Sequence, residues 1–297
     1  MSIRAALIKL VLGLSAKLPL RLSHQLGSWL GRAFLLGNNE QRRIATINLE
    51  RCFPELNSSQ QQQLLLKTMQ ETGKTLLESG RIWQSNKQTF FDLVQEVHGE
   101  QYLQQALTKG KGVILACPHL GNWEAINLYC SASHPLTSLY RPPRLENIEH
   151  LVRQARERFG AKLVPTNAQG VRSLYQALAH NELVMILPDQ DPRDSGGHFA
   201  TFFGIQANTM TLLSRLAHKS GASVLCSYAE RLPQGRGFAI HFEPAVSELY
   251  EKDMSTSVTA LNQMVEQSIR RIPAQYQWGY KRFRTRPPGE RDFYDNL

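Results

Sequence analysis

The residues best placed to do chemistry lie in one string, Pro118-His119-Leu120-Gly121-Asn122-Trp123-Glu124, between an apolar run at 113–117 and a helix-like segment at 125–129. A histidine and a carboxylate at this spacing can form a general base with its orienting partner. Glu124 would hold one imidazole nitrogen, leaving the other to take a proton from an incoming hydroxyl. That is the logic of a Ser-His-Asp triad in which the substrate supplies the alcohol. On a continuous helix the two side chains would point to different faces, but a strand-to-helix turn lets the carboxylate reach back to the ring. Gly121 allows such a turn, and Asn122 can cap the helix that follows. The spacing alone is weakly specific, because the helix dipole also favours a glutamate in a first turn.

Further polar residues fall near the same place. Arg141 follows the apolar run 136–140 and suits a phosphate or developing negative charge, or else simply meets water beside two prolines. Asp189 follows the run 183–187 and would position Arg141 or a substrate, or form an Asx turn. Asn122 and Arg282 complete the expected substrate-binding set. Arg282, Arg284 and Arg286 form a basic run that fits a phosphate, although such runs are more often solvated faces. Asp191 and Arg193 carry weaker signals, while Trp123 and Trp278 read as packing residues lining the site.

The surrounding pattern says how these residues would be held. Apolar runs at 113–117, 136–140, 162–165, 183–187, 222–228 and 238–242 alternate with helix-like segments at 103–109, 148–159, 171–179 and 211–218. Strands that are apolar along their whole length and separated by helices imply a mainly parallel sheet covered on both faces, hence the α/β class. In such a sheet ligands bind beyond the carboxyl ends of the strands, where His119, Arg141 and Asp189 fall. Upstream the pattern is helical, with a segment at 58–80 that Ser58 or Ser59 can cap. Residues 1–95 are therefore expected to form a helical, membrane-proximal region and 96–297 an α/β domain.

Composition sets the outer bounds. With 297 residues, 42% hydrophobic and 20% charged, the chain is an ordinary globular protein, neither a fibre nor a low-complexity tail. A mean hydropathy of −0.34 and the lack of any long uninterrupted apolar run exclude a multi-span membrane protein. The net charge of +9 points to an acidic partner: nucleic acid, anionic lipid or a phosphorylated substrate. Much of that excess precedes residue 52, where Arg4, Lys9, Lys17, Arg21, Arg32, Arg42, Arg43 and Arg51 face only Glu40 and Glu50. The apolar stretch 3–22 carries the first four of these, is weakened as one helix by Gly13 and Pro19, and lacks a signal-peptide cleavage pattern. It fits a segment lying in an anionic membrane surface, with Trp29 and Phe34 as anchors; a helix packed on its own domain and a single span are the alternatives. Cys52, Cys117, Cys130 and Cys226 form no C-x-x-C pair, so neither a zinc site nor a disulfide framework is expected, and reduced thiols of a cytosolic compartment are. A nucleic-acid binder is disfavoured because no zinc knuckle, RNP-like strand or recognition helix is present. A dinucleotide enzyme fails because the turn at 118–122 has a single glycine.

The whole string is more specific than its spacing. His119-Leu-Gly-Asn-Trp-Glu124 resembles the H-x4-D/E signature of glycerolipid-type acyltransferases, in the form typical of the bacterial lipid A late acyltransferases, the lauroyl/myristoyl transferase family. The likeness extends along nearly the whole chain. It includes residues 43–55, Tyr140-Arg141-Pro142, Asp189-Gln190-Asp191, Phe202-Phe203-Gly204 with Ala207 and Thr209, and Tyr276, Trp278, Arg282-Phe283 and Arg286-Pro287. Gly279-Tyr280-Lys281 and Asn208-Thr209-Met210 depart from the usual runs, which bears on acyl chain and acceptor rather than on the chemistry. The resemblance implies transfer of an acyl group from acyl carrier protein to the hydroxyl of a 3-hydroxyacyl chain on a phosphorylated lipid A precursor, at the cytoplasmic face of the inner membrane. It implies His119 as base with Glu124 orienting it, the arginines 282, 284 and 286 as a phosphate or carrier-protein patch, and no metal or cofactor. A lysophospholipid O-acyltransferase using the same pair is the runner-up, and a non-catalytic basic membrane-surface protein the distant alternative.

Overall fold

A computed structural model describes residues 3–37, 39–142, 146–193 and 196–295. Helices α1 (Ile3–Lys17), α2 (Leu20–Leu36), α3 (Glu40–Cys52), α4 (Ser58–Gln84) and α5 (Lys87–Phe91) precede the first strand, β1 (Val94–His98). There follow α6 (Glu100–Thr108), β2 (Val113–Ala116), α7 (Trp123–Ser131), β3 (Leu136–Tyr140), α8 (Glu146–Glu157), β4 (Lys162–Pro165), α9 (Ala168–Ala179) and β5 (Leu183–Ile186). A hairpin of β6 (Gly197–Phe202) and β7 (Ile205–Met210) leads to α10 (Leu212–Ser220), β8 (Ser223–Arg231), β9 (Phe238–Pro244) and α11 (Met254–Arg271). The boundary expected at residue 95 thus falls inside β1.

The α/β class and the mainly parallel sheet are as expected. Seven strands lie in the order β1-β9-β8-β2-β5-β3-β4, with β8, β2, β5, β3 and β4 mutually parallel and only the β8–β9 contact antiparallel. Each expected apolar run is a strand because alternate residues enter cores on opposite faces. Ile114 and Ala116 of β2 pack with α9, α10 and α11 through Leu174, Leu213 and Leu261. Val113 and Leu115 pack on the other side with α6 and α7 through Leu103, Ala125 and Ile126.

Three elements escape the sequence pattern. Strand β1, Val-Gln-Glu-Val-His, is a half-polar edge strand, the β6–β7 hairpin lies outside the main sheet, and α11 is largely polar in sequence. The cap of α4 is Asn57, not a serine: its side chain accepts from Gln60 N while Gln60 returns a bond to the Asn57 backbone, closing a capping box.

Helices α1 and α2 divide at Pro19, which lacks the amide that continuation would need. Among the described residues no helix is long and apolar enough to cross a membrane. The pattern of α2 is inverted: Ser23, His24, Gly27 and Gly31 face inward, while Leu22, Leu26, Trp29 and Leu30 are exposed. Leu10, Val11 and Leu14 of α1 are exposed too. The inward glycines let α2 and α4 meet backbone to backbone. A Cβ on Gly31 would lie 2.1 Å from the Met69 carbonyl oxygen, and one on Gly73 would lie 2.0 Å from that of Gly27. Gly31→Ala and Gly73→Ala are each expected to destabilise the fold by about 1–3 kcal/mol, read as a fall in Tm. An unchanged Tm in both would show that the helices can part at no cost.

Candidate active site

The site begins with strand register. Strands β2 and β5 are parallel neighbours, with Ala116 opposite Ile186, and the match continues into the loops, where Cys117 N donates to Ile186 O at 2.9 Å. Counting three residues past each strand end therefore brings His119 level with Asp189. Asp189 accepts twice from the same residue: His119 N donates to Oδ2 at 2.8 Å, and His119 Nδ1 lies 2.9 Å from Oδ1. The carboxylate requires the proton on Nδ1. The Gln190 amide nitrogen, 3.2 Å from Nε2, requires Nε2 to accept. Both neighbours thus select one tautomer, with a basic nitrogen at Nε2. The ring remains reachable, with its side chain 13% exposed against 2% for Asp189. Trp123 packs beside it, ring centroids 5.0 Å apart.

Burial alone would raise the Asp189 carboxyl, but the adjacent His119 ring and the backbone amides of His119 and Asp189 hold it below the usual carboxylate range. Burial and then the Asp189 charge push the Tyr276 phenol well above its ordinary value.

Glu124 is where a first-turn residue of α7 must be, and it faces α8 instead of the ring. The expected hydrogen bond between Glu124 and His119 is not formed. Its oxygens bind Arg156 of α8, whose Nε lies 3.1 Å and 2.9 Å from the two of them and whose Nη2 makes a further contact. Asn127 Nδ2 donates to the Arg156 carbonyl at 2.8 Å, and Arg156 stacks 5.4 Å from the Tyr140 ring centroid. The Tyr140 hydroxyl beside this pair is buried without a hydrogen-bond partner among the described residues. Asp189, expected to position Arg141 or a substrate, holds the histidine because parallel register sets it there.

The other expected residues separate. Asn122 caps α7 as expected, its Oδ1 accepting from Ala125 N at 3.1 Å, but it is buried, and its Nδ2 donates to Glu78 Oε1 at 2.8 Å, so its side chain faces the protein and not a substrate. Gly121 sits at φ +61° with room for no Cβ, which would fall 2.0 Å from the Ala229 carbonyl oxygen. Its amide donates to Gln275 O at 3.0 Å, and Asn122 N to Ala229 O at 2.8 Å. Arg141 is exposed at the carboxyl end of β3, on the same sheet edge as His119 and with no ion pair among the described residues. Arg282 is turned inward, its Nη1 donating to Asn208 O at 2.6 Å and its guanidinium stacked over Phe202, so it braces β7 where a surface patch was expected. Asp191 anchors the loop after β5 by accepting from Arg193 N, Asn208 Nδ2 and Thr285 N. Trp278 is buried against Phe53 and Phe203, and the four cysteines are buried free thiols.

The sequence gives no role to Gln190 and no sign of Arg156, Gln277 or a buried ion pair under the turn. Gln277 N donates to His119 O at 3.1 Å and its side chain meets Gln190. The ion pair joins Glu78 of α4 to Arg231 at the end of β8, with Arg231 also reaching Glu71 at 2.7 Å and Thr75 at 2.8 Å. Nothing in the local sequence marks partners so far apart. For Asp189 a signal did exist: it and His119 each stand two residues beyond a five-residue apolar run.

The fold and site together define a class, an α/β protein whose parallel sheet presents at its carboxyl edge a histidine held by aspartate. The chain belongs to the bacterial lipid A biosynthesis acyltransferase family, which is matched over residues 3–285, and it is an acyltransferase. It is 30% identical over 294 residues to the lipid A biosynthesis palmitoleoyltransferase of Escherichia coli K12, covering 96% of this chain and 92% of that one. It is 28% identical over 280 residues to the lauroyltransferase of the same organism, covering 94% and 90%, and 24% identical over 269 residues to its myristoyltransferase, covering 90% and 81%.

Burial would raise the Glu78 carboxyl, but Arg231 and then His24 lower it to about 2. In the unfolded chain the same group takes up its proton near pH ~4.3. The pair therefore stabilises the fold fully above that value, and the contribution is lost as pH falls toward about 2. Urea unfolding at pH 7, 5 and 3 is expected to show a loss of stability with acid that is visibly smaller in Glu78→Gln/Arg231→Met. Equal slopes in the two proteins would refute the assignment.

Proposed function

We propose that this acyltransferase moves a lauroyl- or myristoyl-type chain from acyl carrier protein to the hydroxyl of a 3-hydroxyacyl chain on a phosphorylated lipid A precursor, at the cytoplasmic surface of the inner membrane. The observation that carries the reading is the 2.9 Å contact between His119 Nδ1 and Asp189, which makes Nε2 the acceptor. The substrate hydroxyl replaces Gln190 at Nε2 and gives up its proton there. Its oxygen attacks the thioester carbonyl, the C–S bond breaks, and the departing thiolate of the carrier's arm takes the proton back from Nε2. Asp189 orients the ring and stabilises its charged form, the part first expected of Glu124. Glu124 instead fixes the guanidinium of Arg156, whose 25% exposed side chain then suits a phosphate or the developing oxyanion, as does Arg141.

The exposed apolar residues of α1 and α2, flanked by Lys9, Lys17, Arg21 and Arg32, suit a segment resting in an anionic lipid surface, where the acceptor lies.

The test is acyl transfer by purified protein from lauroyl- and myristoyl-carrier protein to a tetra-acyl, phosphorylated lipid A precursor, with lysophosphatidic acid as the rival acceptor. His119→Ala is expected to lower turnover by roughly 10²- to 10⁴-fold. Asp189→Asn is expected to lower it by at least about tenfold through the wrong tautomer. Near-normal turnover in both would remove the base assignment, and acylation of lysophosphatidic acid alone would move the protein to phospholipid synthesis.

A further inference from the structure

Glu78 is fully buried, and it takes no part in the proton transfers above. Its carboxylate is shared by three other elements. His24 Nε2 of α2 lies 2.8 Å from Oε2, Arg231 of β8 holds both oxygens, and Asn122 Nδ2 donates to Oε1 at 2.8 Å.

The last contact has a chemical consequence. An asparagine amide has a donor end and an acceptor end. Because the donor end is fixed on Glu78, the acceptor end must face Ala125 N, closing the first turn of α7. That turn carries Glu124, and it starts directly after the loop that carries His119. The same carboxylate grips α2 through His24, on the side opposite Leu22, Leu26 and Trp29.

We propose that Glu78 is a positioning residue for acyl transfer: through Asn122 it sets the first turn of α7, and through His24 it ties that turn to the seating of α2. The proposal rests on the reading of the His119 site as the acyl-transfer centre. Small misplacements of reacting groups by residues outside the chemistry can cost up to about 10²-fold in rate.

Removing Glu78 alone would leave the buried guanidinium only Glu71 and Thr75, so two double variants are compared. Glu78→Leu/Arg231→Met removes both charges together with the acceptor for Asn122. Glu78→Gln/Arg231→Met removes both charges but keeps an amide oxygen for it. Hydrogen exchange at the Ala125 amide is expected to quicken about fivefold or more in the leucine variant and to return most of the way in the glutamine variant. Turnover is expected to fall about tenfold in the first and to recover in the second, with matched Tm values. Equal exchange or equal turnover in the two variants would overturn the proposal. If neither folds, Asn122→Ser decides: serine caps a helix unaided, so unchanged turnover would show that the Glu78 contact is immaterial. A wild-type protein that acylates no lipid would defeat the reading of the site, while exchange at Ala125 would still decide whether Glu78 holds the turn.

Discussion

A carboxylate without water must have its charge answered nearby, and Glu78 is answered by Arg231 across the junction of helical layer and sheet. The turn that leads from His119 into α7 is tied to that pairing. Arg231 exchanges two backbone bonds with the side chain of Gln275, at 2.8 Å and 2.9 Å, and the carbonyl of Gln275 receives the amide of Gly121. Two residues on, Gln277 N takes the carbonyl of His119. The turn between β2 and α7 is therefore gripped from below by α4, from one side by β8 and from the other by the segment after α11. Shifting it as a body would break these bonds and leave buried polar groups unmatched.

Much of this architecture was legible in the residues. Six apolar runs became strands because a strand buried on both faces needs no polar alternation. The histidine was found because a short polar string at a strand end is conspicuous beside such runs. What could not be read was partnership at long range. Sequence proximity pairs His119 with Glu124, whereas parallel register supplies Asp189 from the neighbouring strand. Arg282 looked like a surface cation and is a buried brace, because arginine in a charge run is ambiguous until its carbonyl partners are known. The strand β1 was invisible because an edge strand with polar residues lacks the signature used for the others.

The two carboxylates near the turn hold different groups. Asp189 holds the ring that carries the proposed proton transfer, and Glu124 holds the guanidinium proposed to meet negative charge. The two pairs draw on different elements: His119 follows β2 and Asp189 follows β5, while Glu124 lies on α7 and Arg156 on α8.

The glycine seam between α2 and α4 has a consequence of another kind. Association through oily side chains depends on water being expelled, and it fades once the surroundings are themselves oily. Gly27, Gly31 and Gly73 let their helices meet backbone to backbone, where dispersion contributes to the attachment. Such an attachment keeps its strength when the aqueous medium outside α2 is exchanged for hydrocarbon or surfactant. The helix can change its solvent on one side without changing its grip on the other.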